Sequence, residues 1–129
     1  MNKTISFTII IGINKGYFHN NINKNGIQII AEEWQKIAKK LYDETRIYVS
    51  CVMHPGKAVY NAEWGCPVGG EDIITITGTA NPKFAQDLEQ WEDIVIKIAK
   101  HLKAVLNQST VTVEFHEVKN FVYLNEELK

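Results

Sequence analysis

Along this chain the apolar positions switch between the two-residue period of a strand and the three-to-four-residue period of a helix. Ile5-Ser6-Phe7-Thr8-Ile9-Ile10-Ile11 is β-branched and partly alternating, which predicts a first strand. Asn14–Gly26 follows, with five Asn and two Gly in thirteen residues, the composition of a loop or irregular hairpin. Ile30, Trp34, Ile37, Ala38, Leu41 and Tyr42 then fall on one helical stripe. Glu32, Glu33, Lys36, Lys39 and Lys40 take the other face, acids early and bases late, as the helix dipole favours. A second strand is predicted over Ile47–Met53, a long loop over His54–Asp72 and a third strand over Ile73–Thr77. Asn81-Pro82 leads into a second helix whose apolar face comprises Leu88, Trp91, Ile94, Val95, Ile98, Ala99, Leu102, Val105 and Leu106. Thr110–Phe115 is the fourth strand, and Phe121-Val122-Tyr123-Leu124 trails it as an apolar tail.

The order β-α-β-β-α-β predicts an α+β fold. Helices with one apolar stripe each must cover a sheet, and right-handed crossovers put both on the same side. The economical solution is a two-layer α/β sandwich of ferredoxin-like type, a four-stranded antiparallel sheet with two helices on one face. Parity then aims Ile5, Phe7, Ile9, Ile11, Val49, Cys51, Val111, Val113 and Phe115 at the helices. The opposite face shows Ser6, Thr8, Ile10, Tyr48, Ser50, Val52, Thr75, Thr77, Thr112, Glu114 and His116. That mixed, hydroxyl-rich face suits a ligand or a wet oligomer contact better than a large dry interface.

The length of 129 residues fits a single domain, 1–129, with 45% hydrophobic and 22% charged residues. A net charge of -1 gives no basic excess for a nucleic-acid polymer or a membrane surface. No apolar run approaches the roughly 20 residues of a membrane span. Lys3 and the apolar Ile5–Ile13 loosely imitate a signal peptide but lack a small-residue cleavage site, and the two cysteines are too few for a disulfide framework. A cytoplasmic protein with reduced thiols is the expectation. Thirteen of the fourteen basic residues are Lys, and Ile, Lys and Asn fill about a third of the chain, pointing to a low-GC bacterium or its phage.

Candidate chemistry gathers in His54–Asp72, where an imidazole, a thiol, an amine, three carboxylates, a phenol and an indole lie between two strands. His54, Lys57, Tyr60, Glu63, Trp64, Cys66 and Glu71 are its candidate ligand contacts, joined by His116 on the open face. Arg46, the lone Arg, is a fork-shaped donor for carboxylate or phosphate, or else a surface partner of Asp43 or Glu44. Tyr17, Phe18, Tyr60 and Trp64 are loop aromatics on which a flat ligand can stack. The glycines match neither the dinucleotide fingerprint nor a phosphate-binding loop. No His or Cys pair has metal-ligand spacing, and His54 and His116 fall on opposite edge strands, roughly 14 Å apart at about 4.8 Å per strand. His19 and His101 add no pairing, and His101, between Lys100 and Lys103, reads as solvated. Neither a metal nor a cofactor is implied. Cys66 with His54, or Ser50 with either, are the nucleophilic candidates, without a third orienting group, and Glu63, Glu71, Asp72 and Glu114 are the acids from which an acid–base pair could come.

The element order resembles that of the tautomerase superfamily, small β-α-β-β-α-β modules that assemble as trimers or hexamers. That resemblance implies catalysis by a proline exposed at the N-terminus. Position 2 is Asn2 and the first proline is Pro55, so the activity does not carry over. The reading that remains is a homo-oligomer that binds a small polar ligand, nucleotide-like or otherwise anionic, without catalysis, as a phage protein sequestering a nucleotide signal would. Its alternatives are a small hydrolase or isomerase built on His54–Asp72, and a structural subunit docked through Phe121–Leu124.

Overall fold

Alternation along β1 (Thr4–Gly12) sets the layout of the sheet: Phe7, Ile9 and Ile11 are buried, whereas Thr8 and Ile10 look outward. The computed structural model describes residues 3–13 and 26–125. Along them run α1 (Gly26–Thr45), β2 (Val52–Ala58), a short 3-10 turn (Ala62–Trp64), β3 (Glu71–Thr79), α2 (Leu88–Val105) and β4 (Val111–Val118). The strands form one antiparallel sheet in the order β2-β3-β1-β4, with both helices on one face, the ferredoxin-like sandwich the sequence implies. Asn14–Asn25, with Tyr17, Phe18 and His19, lie outside the described residues, and Gly26 opens α1.

The core is the helix-covered face. Ile9 pairs with Ile76 and Ile11 with Ile74, and all four are essentially sealed from solvent under Ile30, Ala38, Val95 and Ile98. Phe7 is the centre of an aromatic cluster, stacked on Trp34 at 5.8 Å and tilted against Trp91 at 5.7 Å. Gly78, paired with Phe7, is glycine because a Cβ there would lie 2.5 Å from the Phe7 ring and 2.6 Å from the Ser50 carbonyl. α2 begins where Asp87 accepts the Gln90 amide at 3.0 Å, an N-cap.

Four expectations are corrected. β2 is displaced five residues along the chain, to Val52–Ala58 rather than Ile47–Met53. Residues 47–51 descend along α1 instead, with Ile47 and Val49 buried and the Trp34 indole donating to the Val49 carbonyl at 2.9 Å. Tyr48 and Ser50 therefore line a recess beside α1, not the open face. Pro55 and Gly56 look like turn punctuation, but β2 is an edge strand, where a missing N–H is tolerated. Glu33 is not on a solvated face: it is 8% exposed, 3.5 Å from His101 Nε2 and 3.3 Å from Lys36 Nζ. His101 is accordingly paired across the helices rather than free in solvent.

Candidate functional site

The register arranges the open face in rows. His54, Thr75, Ile10 and Thr112 make one, and Val52, Thr77, Thr8 and Glu114 the next. Toward the other end of β1 the rows run out: Gly12 faces Ile73, and Ala58 faces Glu71. There the β2–β3 connection rises over the sheet on one side and the α2–β4 turn on the other. Between them lies a cleft of about 420 Å³, floored by Ile10, Gly12, Ala58 and Ile73 and walled by Tyr60, Trp64, Glu71, Gln108, Ser109, Thr110 and Thr112. A second hollow of about 610 Å³ shares Tyr60, Trp64, Glu71, Gln108 and Ser109 and extends to Gly65, Pro67 and Asn107. These volumes fall within the range of small-molecule sites.

Each wall is held by local chemistry. Asn61 accepts the Glu63 amide at 2.9 Å and starts the 3-10 turn that carries Trp64. Gly65, at φ 101°, ends it in a left-handed conformation open to glycine, donating to Ala62 O at 3.0 Å. Cys66 Sγ accepts the Tyr60 amide at 3.4 Å and lies 3.9 Å from the Ala58 carbonyl, which pins the connection back onto β2. The Tyr60 hydroxyl donates to Glu71 Oε1 at 3.2 Å. Desolvation first, then the hydrogen bond to Glu71 and its negative charge, raise the phenol above its ordinary pKa of 10.0. Across the cleft, Asn107 at φ 53° turns the chain out of α2, and Gln108 Nε2 donates to Leu106 O at 3.1 Å.

Of the residues singled out in the sequence, the cleft brings together Tyr60, Trp64 and Glu71, with Cys66 supporting them. The others lie elsewhere. Lys57 faces the opposite side of β2 and pairs with Asp72 at 2.7 Å. Arg46 packs its guanidinium over the Tyr42 ring at 5.5 Å, in place of an ion pair with Asp43 or Glu44. Asp43 pairs with Lys39 at 2.8 Å. Glu63 is exposed on the 3-10 turn, and His54 shares the open face without lining the cleft. His116 sits on the far edge strand, 3.2 Å from Glu114. Sequence reasoning missed Gly12 and the turn Asn107-Gln108-Ser109. The signal was there, a short polar run between an apolar helix and a β-branched strand.

The described lining of the cleft offers an anionic ligand no counter-charge. Among the described residues its ionisable groups are the Glu71 carboxylate and the Tyr60 phenol, and no Lys, Arg or His lines it. Among the described residues no group of three or more His, Cys, Asp or Glu is placed to hold a metal, and no helix is long and apolar enough to cross a membrane.

Two solved structures share this fold. One is a phage SAM lyase in complex with S-methyl-5'-thioadenosine, 18% identical, with a TM-score of 0.54 over 88% of this chain and 81% of that one. The other is a phage SAM lyase in the apo state, 20% identical, with a TM-score of 0.59 over 89% of this chain and 81% of that one. No curated protein matches the sequence. The profile of the SAM lyase family matches residues 2–125. That match overturns the reading of a non-catalytic binder sequestering a nucleotide signal, because nearly the whole sequence fits an enzyme family: the chain belongs to the SAM lyases.

Proposed function

We propose that this protein cleaves SAM, S-adenosylmethionine, at the bond between the sulfonium sulfur and the γ-carbon, releasing S-methyl-5'-thioadenosine from the cleft around Glu71. The observation that carries this reading is the charge of the cleft, one carboxylate and no cation among the described residues, in a chain of the SAM lyase family. The SAM zwitterion has a sulfonium, an ammonium and a carboxylate, a net charge of +1, and a lone carboxylate favours it by long-range attraction. Trp64 and Tyr60 offer ring faces to the adenine or to the sulfonium. The compound released in this reading is the one bound to the phage SAM lyase, and a phage source fits the Lys-, Ile- and Asn-rich composition.

Sulfonium chemistry asks little of the protein. The thioether is already a good leaving group, so neither an acid to protonate it nor a protein nucleophile is needed. A lyase adds no water, and two routes then balance. A base takes a β-proton, or the substrate's own carboxylate oxygen bonds to Cγ as the S–Cγ pair withdraws onto sulfur. A carboxylate that already accepts the Tyr60 hydroxyl is too weak a base for an unactivated C–H. Ring closure onto Cγ needs no protein base and consumes one negative and one positive charge. Low-dielectric surroundings favour such a charge-neutralising step, and Ile10, Ala58 and Ile73 supply an apolar floor for it. The protein's part is to hold the chain curled and dry.

The test is to incubate purified protein with SAM and resolve the products by chromatography and mass spectrometry. S-methyl-5'-thioadenosine with an equal amount of cyclised four-carbon fragment is the expected outcome. A fragment carrying added water from the earliest time points contradicts ring closure, and SAM recovered intact contradicts the function. Exposed Val59, Trp64 and Val68 around the cleft support a homo-oligomer as part of this reading, to be checked by solution mass.

A further inference from the structure

In the floor of the cleft the ends of two side chains reach over a residue that has none. A Cβ built on Gly12 would lie 2.7 Å from Gln108 Oε1 and 3.1 Å from Glu71 Oε2. Two acceptor oxygens therefore already take up the room a methyl group would need, and both border the cleft. The orientation of the amide is fixed by its other end: Nε2 donates to Leu106 O at 3.1 Å, and reversing it would set oxygen against oxygen. Glu71 Oε1 is taken by the Tyr60 hydroxyl. Among the described residues, neither Glu71 Oε2 nor Gln108 Oε1 accepts a hydrogen bond.

A cleft edge with two acceptors side by side, one of them charged, calls for a cation with several donors. A primary ammonium has three N–H groups, whereas a sulfonium has none and a hydroxyl has one. We propose that Gln108 Oε1 and Glu71 Oε2 form a cradle for a primary ammonium beside Gly12, and that Gln108 is thereby a specificity-determining residue that selects substrates bearing a free amino group. This rests on the reading of the cleft as the SAM site and assigns the amino-acid end of the substrate to the Gly12–Gln108 side. Gln108 binds through a neutral oxygen, so it discriminates by hydrogen-bond direction, while Glu71 contributes charge.

The experiment compares SAM with its deamino analogue, in which hydrogen replaces the amino group. Wild-type protein is expected to favour SAM by roughly tenfold to a hundredfold in kcat/KM, the worth of a hydrogen bond to a charged group. Gln108→Met keeps the length without the amide; it should slow SAM cleavage far more than cleavage of the deamino analogue, collapsing the preference. Gly12→Ala sets a methyl group against both oxygens and pushes them apart, and should do the same with the native fold intact, as read by its thermal midpoint. Binding of S-methyl-5'-thioadenosine, which has no ammonium, should be equal in wild type and Gln108→Met. A Gln108→Met enzyme that retains the full preference overturns the proposal. So does one that loses both substrates and S-methyl-5'-thioadenosine alike, the mark of a merely structural residue. Wild-type protein that binds SAM more tightly than the deamino analogue but leaves both intact overturns the enzymatic reading and keeps the cradle. Wild-type protein that cleaves both equally overturns the cradle alone.

Discussion

Ile9 and Ile10 are identical side chains one peptide apart on β1, yet Ile9 is 0% exposed under the helices and Ile10 is 38% exposed on the floor of the cleft. The helix face is aliphatic and aromatic, closed by Phe7, Trp34 and Trp91. The open face is threonine-rich, with Glu71 in the cleft at the rim and Glu114 out on the edge strand. A period of two lets a single strand serve both, so substitutions at adjacent positions ought to separate stability from activity.

The widest separation is expected from Phe7→Ala against Ile10→Ala. Phe7 is sealed between two tryptophans, and its truncation should cost about 3–5 kcal/mol of unfolding free energy by urea titration. Ile10→Ala should cost well under half of that and act on KM. Gly78→Ala is next. The new methyl must displace the Phe7 ring and the Ser50 carbonyl, and about 1–3 kcal/mol of destabilisation by overpacking should follow.

On the cleft side, Tyr60→Phe removes the donor to Glu71 Oε1 and should lower SAM cleavage by roughly threefold to tenfold, a modest effect for a part-exposed hydrogen bond. The sign of its pH dependence follows from the raised phenol. Folding favours the protonated form, so the interaction is fully present below the ordinary pKa of 10.0 and is lost as pH rises through the raised value. A wild-type rate profile should therefore fall on the alkaline side, and Tyr60→Phe should lose that limb. The smallest effect concerns the thiols. Burial pushes Cys51 up to about 12, so an alkylating reagent at pH 8 should modify it slowly in the native state and readily once unfolded. Peptide mass mapping reads the difference.

The core was legible because period and parity carry it: Phe7, Ile9, Ile11, Trp34, Trp91 and Ile98 all sit where spacing places them. β2 was misplaced because Ile47 and Val49 are buried without being in the sheet, and because Pro55-Gly56 on an edge strand imitates a turn. Within the cleft, Tyr60, Trp64 and Glu71 were visible as loop chemistry, and Gly12 and Gln108 were not. A glycine at a strand end and a glutamine after a helix carry no signal until the sheet brings them together. The non-catalytic reading failed for a chemical reason. A nucleophile and a base are what residue types reveal, and a sulfonium substrate brings its own leaving group and, in the route proposed, its own nucleophile.

The most direct measurement uses two acids that are neighbours in the chain and point to opposite faces. Glu71 lines the cleft, whereas Asp72 is paired with Lys57 on the other side of the sheet. Release of S-methyl-5'-thioadenosine from SAM should be timed for wild type, Glu71→Gln and Asp72→Asn. The account requires Glu71→Gln to lose on the order of a hundredfold, as expected for a hydrogen-bonded charge, with Asp72→Asn close to wild type. Equal losses in both variants, or full activity in Glu71→Gln, would contradict it.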